Sequence, residues 1–223
     1  MRRSLLSTSI AGAVIVLLVS SMAAQRPFFD LGSLASGPFA RMLTLYEESF
    51  LFFSIDVLSL EVRFGSEVAE KVKSIVQSGD EPSQFADSIA DTAIHAEDAF
   101  VHIRFLRDIR LERFIQEARE STKLVSEAGI INNTSYEHIS KNLPIWYASL
   151  ADRGINKGDE MFYRIRSGSL RTLYHGVDGT IYVDKEDTGR LGPLAVLGGY
   201  FVEKSKFRKG LLQSLFRDSA SSP

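Results

Sequence analysis

The segment NKGDEMFYRIRSGSLRTLYHGVDGTIYV, residues 156–183, sets the fold class that we expect for this chain. Runs of branched and aromatic residues in it alternate with polar ones and predict three short strands, over 161–166, 170–175 and 180–183. The pair Asp178-Gly179 predicts a hairpin turn between the last two of them. Consecutive strands joined by short turns indicate an antiparallel sheet.

The segments around this one add strands and paired helices. Residues 43–62 and 100–106 predict further strands, and helical spacing predicts a pair of helices on each side of the latter. A last helical region covers 191–216, with a break expected near Gly198-Gly199. Because the helices are inserted in pairs between strands, the order predicts an α+β domain in which an antiparallel sheet is backed by a layer of α-helices.

Composition excludes several classes of protein. The chain has 223 residues, of which 44% are hydrophobic and 24% charged, and this suits one good-sized globular domain. Its net charge of −2 does not favour nucleic acid as a partner, since phosphate binding needs concentrated positive charge. It has no cysteine, which excludes disulfides, thiolate zinc sites and cysteine nucleophiles.

Local motifs for metal, cofactor or nucleophile chemistry are missing. The four histidines have no metal-ligand spacing, so no metal site is predicted. No phosphate-binding loop or Gly-x-Ser-x-Gly elbow occurs, so neither a cofactor nor a hydrolase nucleophile is predicted. A basic cluster near the end is read as a solvated helix face, with attraction to anionic lipid headgroups as the alternative; its members are Lys204, Lys206, Arg208 and Lys209.

Residues 1–24 form a separate segment that predicts export. Arg2 and Arg3 precede the apolar run of residues 10–19, and Ser21 and Ala23 suit a signal-peptidase site. The expected location is therefore periplasmic, secreted or lumenal. The alternative is an uncleaved anchor that associates with a membrane through residues 4–25, since a bilayer-spanning helix needs about 20 apolar residues.

Arg41 is the one charged residue that stands out as a candidate binding group. It stands at the head of the apolar, aromatic strand predicted within GPFARMLTLYEESFLFFSIDVL, residues 37–58. A guanidinium beside such a surface either pairs with an acid or meets an anionic ligand. Glu47 and Glu48 are the acids expected to pair with it in the first case. From the residues alone, the structural role is favoured.

Four segments together resemble the chalcone isomerase-like family. HIRFLRDIRLERFIQEARE, residues 102–120, resembles its strand and following helix, in which a phrase like FLRD ends the strand. Residues 156–181 resemble its KGD turn and hairpin. LGPLAVLGGYFVEKSKFRKGLLQSL, residues 191–215, is similar to its closing helices, and residues 37–58 to its first strand pair. The resemblance covers residues 33–217, which we take as the domain.

The resemblance implies an antiparallel sheet backed by helices and assigns the functional arginine of the family to Arg41. Its plant enzymes cyclise a chalcone to a flavanone, and such an arginine stabilises the phenolate. In an ungapped comparison, the positions of the hydroxyl and amide groups that accompany it in the enzymes fall near Phe53, with Ser54 beside it, Leu111 and Ala118. Phe53, Leu111 and Ala118 cannot supply these groups. Other members resemble lipid carriers, which need only the arginine, a hydroxyl such as that of Tyr46, and an apolar pocket.

Three functions follow from these observations. The first is a non-catalytic, exported protein that binds a fatty acid or similar amphiphilic carboxylate through Arg41 and Tyr46. The second is an isomerase of the intramolecular lyase type, acting on an unknown substrate with Arg41 as its only assigned catalytic group. The third is a structural or interaction domain with a filled core.

Overall fold

A computed structural model describes residues 29–50, 53–78 and 85–219. The chain divides into two units, Met1–Asp30 and Leu31–Pro223, and the second carries the fold. The signal or anchor predicted over residues 1–24 lies outside the described residues. Within the described ranges, no helix is both long enough and apolar enough to cross a membrane.

The second unit contains an ordered series of strands and helices. Its strands are β1 (Arg41–Phe50), β2 (Phe53–Phe64), β3 (Asp98–Phe105), β4 (Glu160–Arg166), β5 (Ser169–His175) and β6 (Ile181–Thr188). Its helices are α1 (Ser66–Gln77), α2 (Ala86–Ile94), α3 (Leu111–Glu127), α4 (Asn133–Trp146), α5 (Leu191–Phe201) and α6 (Arg208–Ser219).

The strands form one antiparallel sheet in the order β1-β2-β3-β4-β5-β6. β1 and β6 are therefore its two edges. The β4–β5 turn has two central residues with positive φ, Ser167 at 49° and Gly168 at 79°, which is the backbone that a tight hairpin of right-twisted strands requires. Gly179 also has a positive φ, 86°, in the β5–β6 turn that its sequence predicts.

The helices cover one face of this sheet. Alternate strand residues on that face are buried and form the core with the helices, and they include Met42, Leu60, Val62, Val101, Ile103, Met161, Ile165 and Tyr174. Helix α3 adds Leu111, Ile115 and Val125 from one side, as its helical spacing predicts. The predicted fold class, an antiparallel sheet backed by a helical layer, is confirmed.

The C-terminal helical region differs from its prediction. It consists of two helices separated at residues 202–207, and Gly198 and Gly199 lie inside α5 rather than at a break. A Cβ added at Gly198 would lie 2.8 Å from Cγ1 of Val125, and one at Gly199 would collide with Oγ of Ser121. The two glycines therefore allow α5 to pack closely against α3, and this close approach explains them.

Candidate functional site

A cavity of about 480 Å³ lies between the sheet and the helical layer. Every strand contributes to its lining, from Tyr46 on β1 to Lys185 on β6. Adjacent strands are about 4.8 Å apart, so the five spacings between the two edges amount to about 24 Å. The cavity is thus a long space that follows the width of the sheet.

The middle of the cavity is apolar. The sheet lines it with Val57, Leu58, Ile103, Phe105, Met161, Leu170 and Val183. The helices line it with Phe114, Ala118, Ile139, Leu143, Trp146, Leu191 and Ala195. Ligand cavities in proteins are typically 300–1,000 Å³ and mostly apolar, with a few polar groups that orient the ligand. This cavity has both the size and the lining of a small-molecule site.

Charged side chains gather at the β1 end of the cavity. Arg113 of α3 donates a hydrogen bond to Glu48 of β1. Lys206, in the segment between α5 and α6, donates to Glu117 of α3 and, at 3.2 Å, to the hydroxyl of Tyr46. All five side chains line the cavity. We call these five residues the β1-end cluster.

Lys206 is held over an aromatic ring within this cluster. Its Nζ lies 4.3 Å from the ring centroid of Tyr46, a distance that suits a cation–π interaction. Burial opposes the charge of Lys206, but its hydrogen bonds to Glu117 and Tyr46 outweigh that effect and raise its pKa. Lys206 is therefore a cation at neutral pH.

A second charged group lies at the β6 end. Lys185 donates to both carboxylate oxygens of Asp187, at 2.5 and 2.6 Å. Its Nζ also lies 3.9 Å from the ring centroid of Trp146. This lysine is thus paired within the protein with a carboxylate and with an aromatic face.

Hydroxyl groups line the cavity between these two ends. Tyr147, at the end of α4, has its hydroxyl oxygen 3.4 Å from that of Tyr163 on β4 and 3.6 Å from the sulfur of Met161. Thr172 of β5 lies directly opposite Tyr163 in the sheet register and lines the same cavity. Burial raises the pKa of Tyr147 and of Tyr163, so both phenols are neutral hydrogen-bond donors.

Arg41 lies elsewhere, which corrects its expected position at the cavity. Along β1, Met42 and Thr44 are buried under the helices, and Arg41 falls on the opposite face. Its side chain is 47% exposed, and its Nε donates to Glu61 at 2.7 Å. Tyr46, the other predicted ligand residue, has the same parity as Met42 and Thr44 and does line the cavity.

The acid that pairs with Arg41 also differs from the expected ones. Leu43 is the register partner of Glu61, so Glu61 lies diagonally across from Arg41 on the same face. Glu47 shares that face but is six residues along the strand, which is about 20 Å away. Glu48 points into the cavity and pairs with Arg113 instead.

The comparison with solved structures identifies the fold. A fatty-acid binding protein of Arabidopsis thaliana matches with a TM-score of 0.56 and 16% sequence identity, over 82% of this chain and 89% of that chain. The chain has the chalcone isomerase-like fold. The resemblance carried by the four sequence segments is thereby confirmed at the level of the fold. No protein-family profile matches the chain, and no curated protein matches its sequence.

The structure describes the side chains at two of the three positions where the resemblance expects the hydroxyl and amide groups of the enzymes. Leu111 is buried at the start of α3, and Ala118 lines the cavity from the same helix. Neither side chain carries a hydrogen-bonding group. The side chain of Phe53 lies outside the described residues. Among the residues that the structure describes, no group of three or more histidine or acidic side chains is arranged to hold a metal ion.

Sequence reasoning missed most of the polar groups that line the cavity. Lys204 and Lys206 are exposed, as a solvated cluster predicts, but they lie between α5 and α6 and also line the cavity, whereas Arg208 pairs with Asp87. Arg113 is the third residue of α3, and a single charged residue there does not indicate from sequence that it lines a cavity. The hydroxyls of Tyr147 and Tyr163 are far apart in sequence and meet only because β4 packs against the end of α4.

Proposed function

We propose that the protein binds a fatty acid or a similar amphiphilic carboxylate in the cavity under the sheet. The observation that carries this proposal is an apolar cavity of about 480 Å³ with two cations, Arg113 and Lys206, at one end. The fatty-acid binding described for the Arabidopsis protein of the same fold supports it. A structural domain with a filled core does not fit a cavity of this size.

The β1-end cluster is the proposed site of the carboxylate. Arg113 has five N–H donors and Lys206 has three, and only some of them are used by Glu48, Glu117 and Tyr46. A ligand carboxylate can therefore bind to the remaining donors without displacing the protein's own acids. The β6 end is less suitable, because Lys185 is the one cation among the described lining residues of β6 and two of its three donors already bind Asp187.

The isomerase alternative has less support from this geometry. It assigned the stabilisation of a phenolate to Arg41, which lies on the face of the sheet away from the cavity. A group that stabilises a developing negative charge must lie within hydrogen-bond distance of it. The ligand role expected for Arg41 from the sequence is untested, and the binding measurements in the Discussion compare it with the role proposed here for Arg113 and Lys206.

Export is the second part of the proposal, since residues 1–24 have the composition of a cleaved signal. We expect native mass spectrometry of the protein from its own host to show two differences from the mass of the full-length chain alone. The chain should begin near Ala24 or Gln25, and part of it should carry the added mass of a bound fatty acid or related lipid. An intact Met1 in a membrane fraction would support the anchor, and a chain without lipid that also fails to bind octadecanoic acid would contradict the binding proposal.

The acids of the β1-end cluster provide a test in which the affinity for the fatty acid should rise. Glu117→Gln keeps the shape of the side chain but removes the charge that Lys206 neutralises. We expect octadecanoic acid to bind several-fold more tightly to this variant. The ammonium of Lys206 then no longer faces the negative charge of Glu117, which repels and competes with the carboxylate of the ligand. The measurement is the dissociation constant by isothermal titration calorimetry.

The matched control for that test is Glu127→Gln on the same helix. Glu127 pairs with the exposed Lys123 one turn away and does not line the cavity. The affinity of the Glu127→Gln variant for octadecanoic acid should therefore equal that of the wild type. Weaker binding by Glu117→Gln would show that the carboxylate of the ligand does not bind at Lys206.

A further inference from the structure

The hydroxyls of Tyr147, Tyr163 and Thr172 are not needed to bind a simple fatty acid. A saturated chain offers only CH₂ groups to the middle of a cavity, and an apolar wall is the best surface for it. Among the hydroxyls of this wall, three lie at adjoining positions, on Tyr147 directly after α4, on Tyr163 of β4 and on Thr172 of β5. We call these three residues the hydroxyl cluster.

The hydroxyl cluster is poorly satisfied by the protein itself. Hydroxyl pairs normally approach to about 2.7–2.8 Å, so the 3.4 Å between Tyr147 and Tyr163 is long. The second neighbour of Tyr147 is the thioether sulfur of Met161 at 3.6 Å, which is a weak acceptor. Buried tyrosine hydroxyls usually have a good partner. These donors therefore suit an oxygen atom that a ligand brings into the cavity.

The sheet register places the hydroxyl cluster along the path of the chain. Tyr163 and Thr172 are directly opposite each other on β4 and β5, where side chains on one face are about 4.5–5.5 Å apart at Cβ. β4 is three strand spacings from β1, which is about 14 Å from the edge where the carboxylate is placed. A ligand oxygen bound there lies well beyond the head group.

We propose that the preferred ligand is an oxygenated fatty acid, whose chain carries a carbonyl or hydroxyl oxygen that accepts hydrogen bonds from Tyr147, Tyr163 and Thr172. This inference rests on the proposed function and specifies its ligand class. The carboxylate binds at the β1-end cluster, the apolar segment between them crosses β2 and β3, and the chain oxygen lies under β4 and β5. A hydroxyl oxygen and a keto oxygen share the acceptor chemistry that the site recognises.

The test compares octadecanoic acid with a series of keto-octadecanoic acids in which the carbonyl is moved along the chain. Calorimetry on the wild-type protein should give one carbonyl position that binds about three- to ten-fold more tightly than octadecanoic acid, the gain that one or two neutral hydrogen bonds provide. Carbonyls near the carboxylate should give no gain. If no position binds more tightly, the oxygenated ligand is excluded although the fatty-acid site stands, and if none of the acids binds, the proposed function itself fails.

Single substitutions assign the gain to the hydroxyl cluster. In Tyr163→Phe and Thr172→Val, the ratio between the dissociation constants of octadecanoic acid and the best keto acid should fall towards one. Tyr182→Phe is the matched control, because the hydroxyl of Tyr182 donates to Asp178 and does not line the cavity. It should keep the wild-type ratio. A hydroxy acid with its oxygen at the best position should follow the same pattern, and an unchanged ratio in both cluster variants would overturn the proposal.

Discussion

Asp159→Ala should lower the free energy of unfolding by about 3–5 kcal/mol, the loss typical of breaking a buried ion pair. Asp159 is 0% exposed, and its carboxylate accepts two hydrogen bonds from Arg153, at 2.7 and 3.1 Å. It also accepts from the backbone N–H groups of Asn156 and Val177 and from the hydroxyl of Tyr174. Removing the carboxylate leaves the buried hydroxyl of Tyr174 and the part-buried donors of Arg153, Asn156 and Val177 without this acceptor. Urea unfolding at neutral pH measures the change.

The pH dependence of stability gives this prediction a second measurement. Burial alone would raise the pKa of Asp159, but the hydrogen bonds from Arg153, Asn156, Tyr174 and Val177 outweigh it and hold the pKa below its usual value. A carboxyl with a lowered folded-state pKa stabilises the protein above its unfolded-state pKa of about 3.9. That stability is lost as the pH falls through the lower, folded-state pKa. The difference between wild type and Asp159→Ala should therefore shrink in strong acid.

Asp152→Ala is the matched control for Asp159→Ala. Asp152 is exposed and lies seven residues earlier in the chain. Its loss should change the free energy of unfolding by no more than about 0.5 kcal/mol, as is usual for surface substitutions. A loss below about 1 kcal/mol in Asp159→Ala would mean that the Arg153 pair does not hold the loop before β4 in place.

This network explains why the segment around residues 156–183 predicts the fold so well. The KGD turn contains Asp159, and its carboxylate ties the loop before β4 to Val177, in the turn between β5 and β6. Local turn chemistry and strand alternation in this segment therefore agree with the tertiary structure. The same agreement holds for α3, whose helical spacing marks its buried face. Elements whose local pattern and packing agree are the ones that a sequence predicts.

The extent of β6 could not be predicted in the same way. Apolar alternation stops at Val183, and the prediction ended there, but the strand continues to Thr188. Lys185 and Asp187 occupy its inward positions because this edge of the sheet borders the cavity rather than the core. A hydrophobic pattern cannot mark a strand whose inner face is polar. Because the inner face of β6 borders the cavity, its residues lack the apolar alternation from which strands are predicted.

The position of Arg41 could not be predicted because it depends on the phase of a single strand. Successive side chains of a strand point to opposite faces, so a shift of one residue moves a side chain from the cavity to the solvent. Apolar residues occupy both faces of β1, since Leu43 and Leu45 are exposed while Met42 is buried. The pattern of β1 therefore does not indicate which face is inward, and the arginine that the resemblance assigns to the site lies on the exposed face.

Replacing both cations of the β1-end cluster should strongly weaken ligand binding. In the double variant Arg113→Met, Lys206→Met, the long aliphatic side chains keep the apolar contacts but lose the charges. A hydrogen bond to a charged group contributes about 1.5–3 kcal/mol, and each 1.4 kcal/mol is a factor of ten. We therefore expect octadecanoic acid to bind about ten- to a hundred-fold more weakly. Octadecan-1-ol, which lacks the carboxylate, should lose much less affinity.

The affinity of octadecanoic acid for three proteins is the measurement that separates the cavity site from the site expected at Arg41. These are the wild type, the double variant Arg113→Met, Lys206→Met, and Arg41→Ala. Arg41 pairs with Glu61 on the exposed face, and such surface pairs contribute about 0–1 kcal/mol to stability, so Arg41→Ala should fold normally. We predict that calorimetry gives Arg41→Ala the dissociation constant of the wild type, while the double variant binds at least about ten-fold more weakly. A ten-fold loss in Arg41→Ala, with the double variant unchanged, would contradict the assignment of the carboxylate to the β1-end cluster.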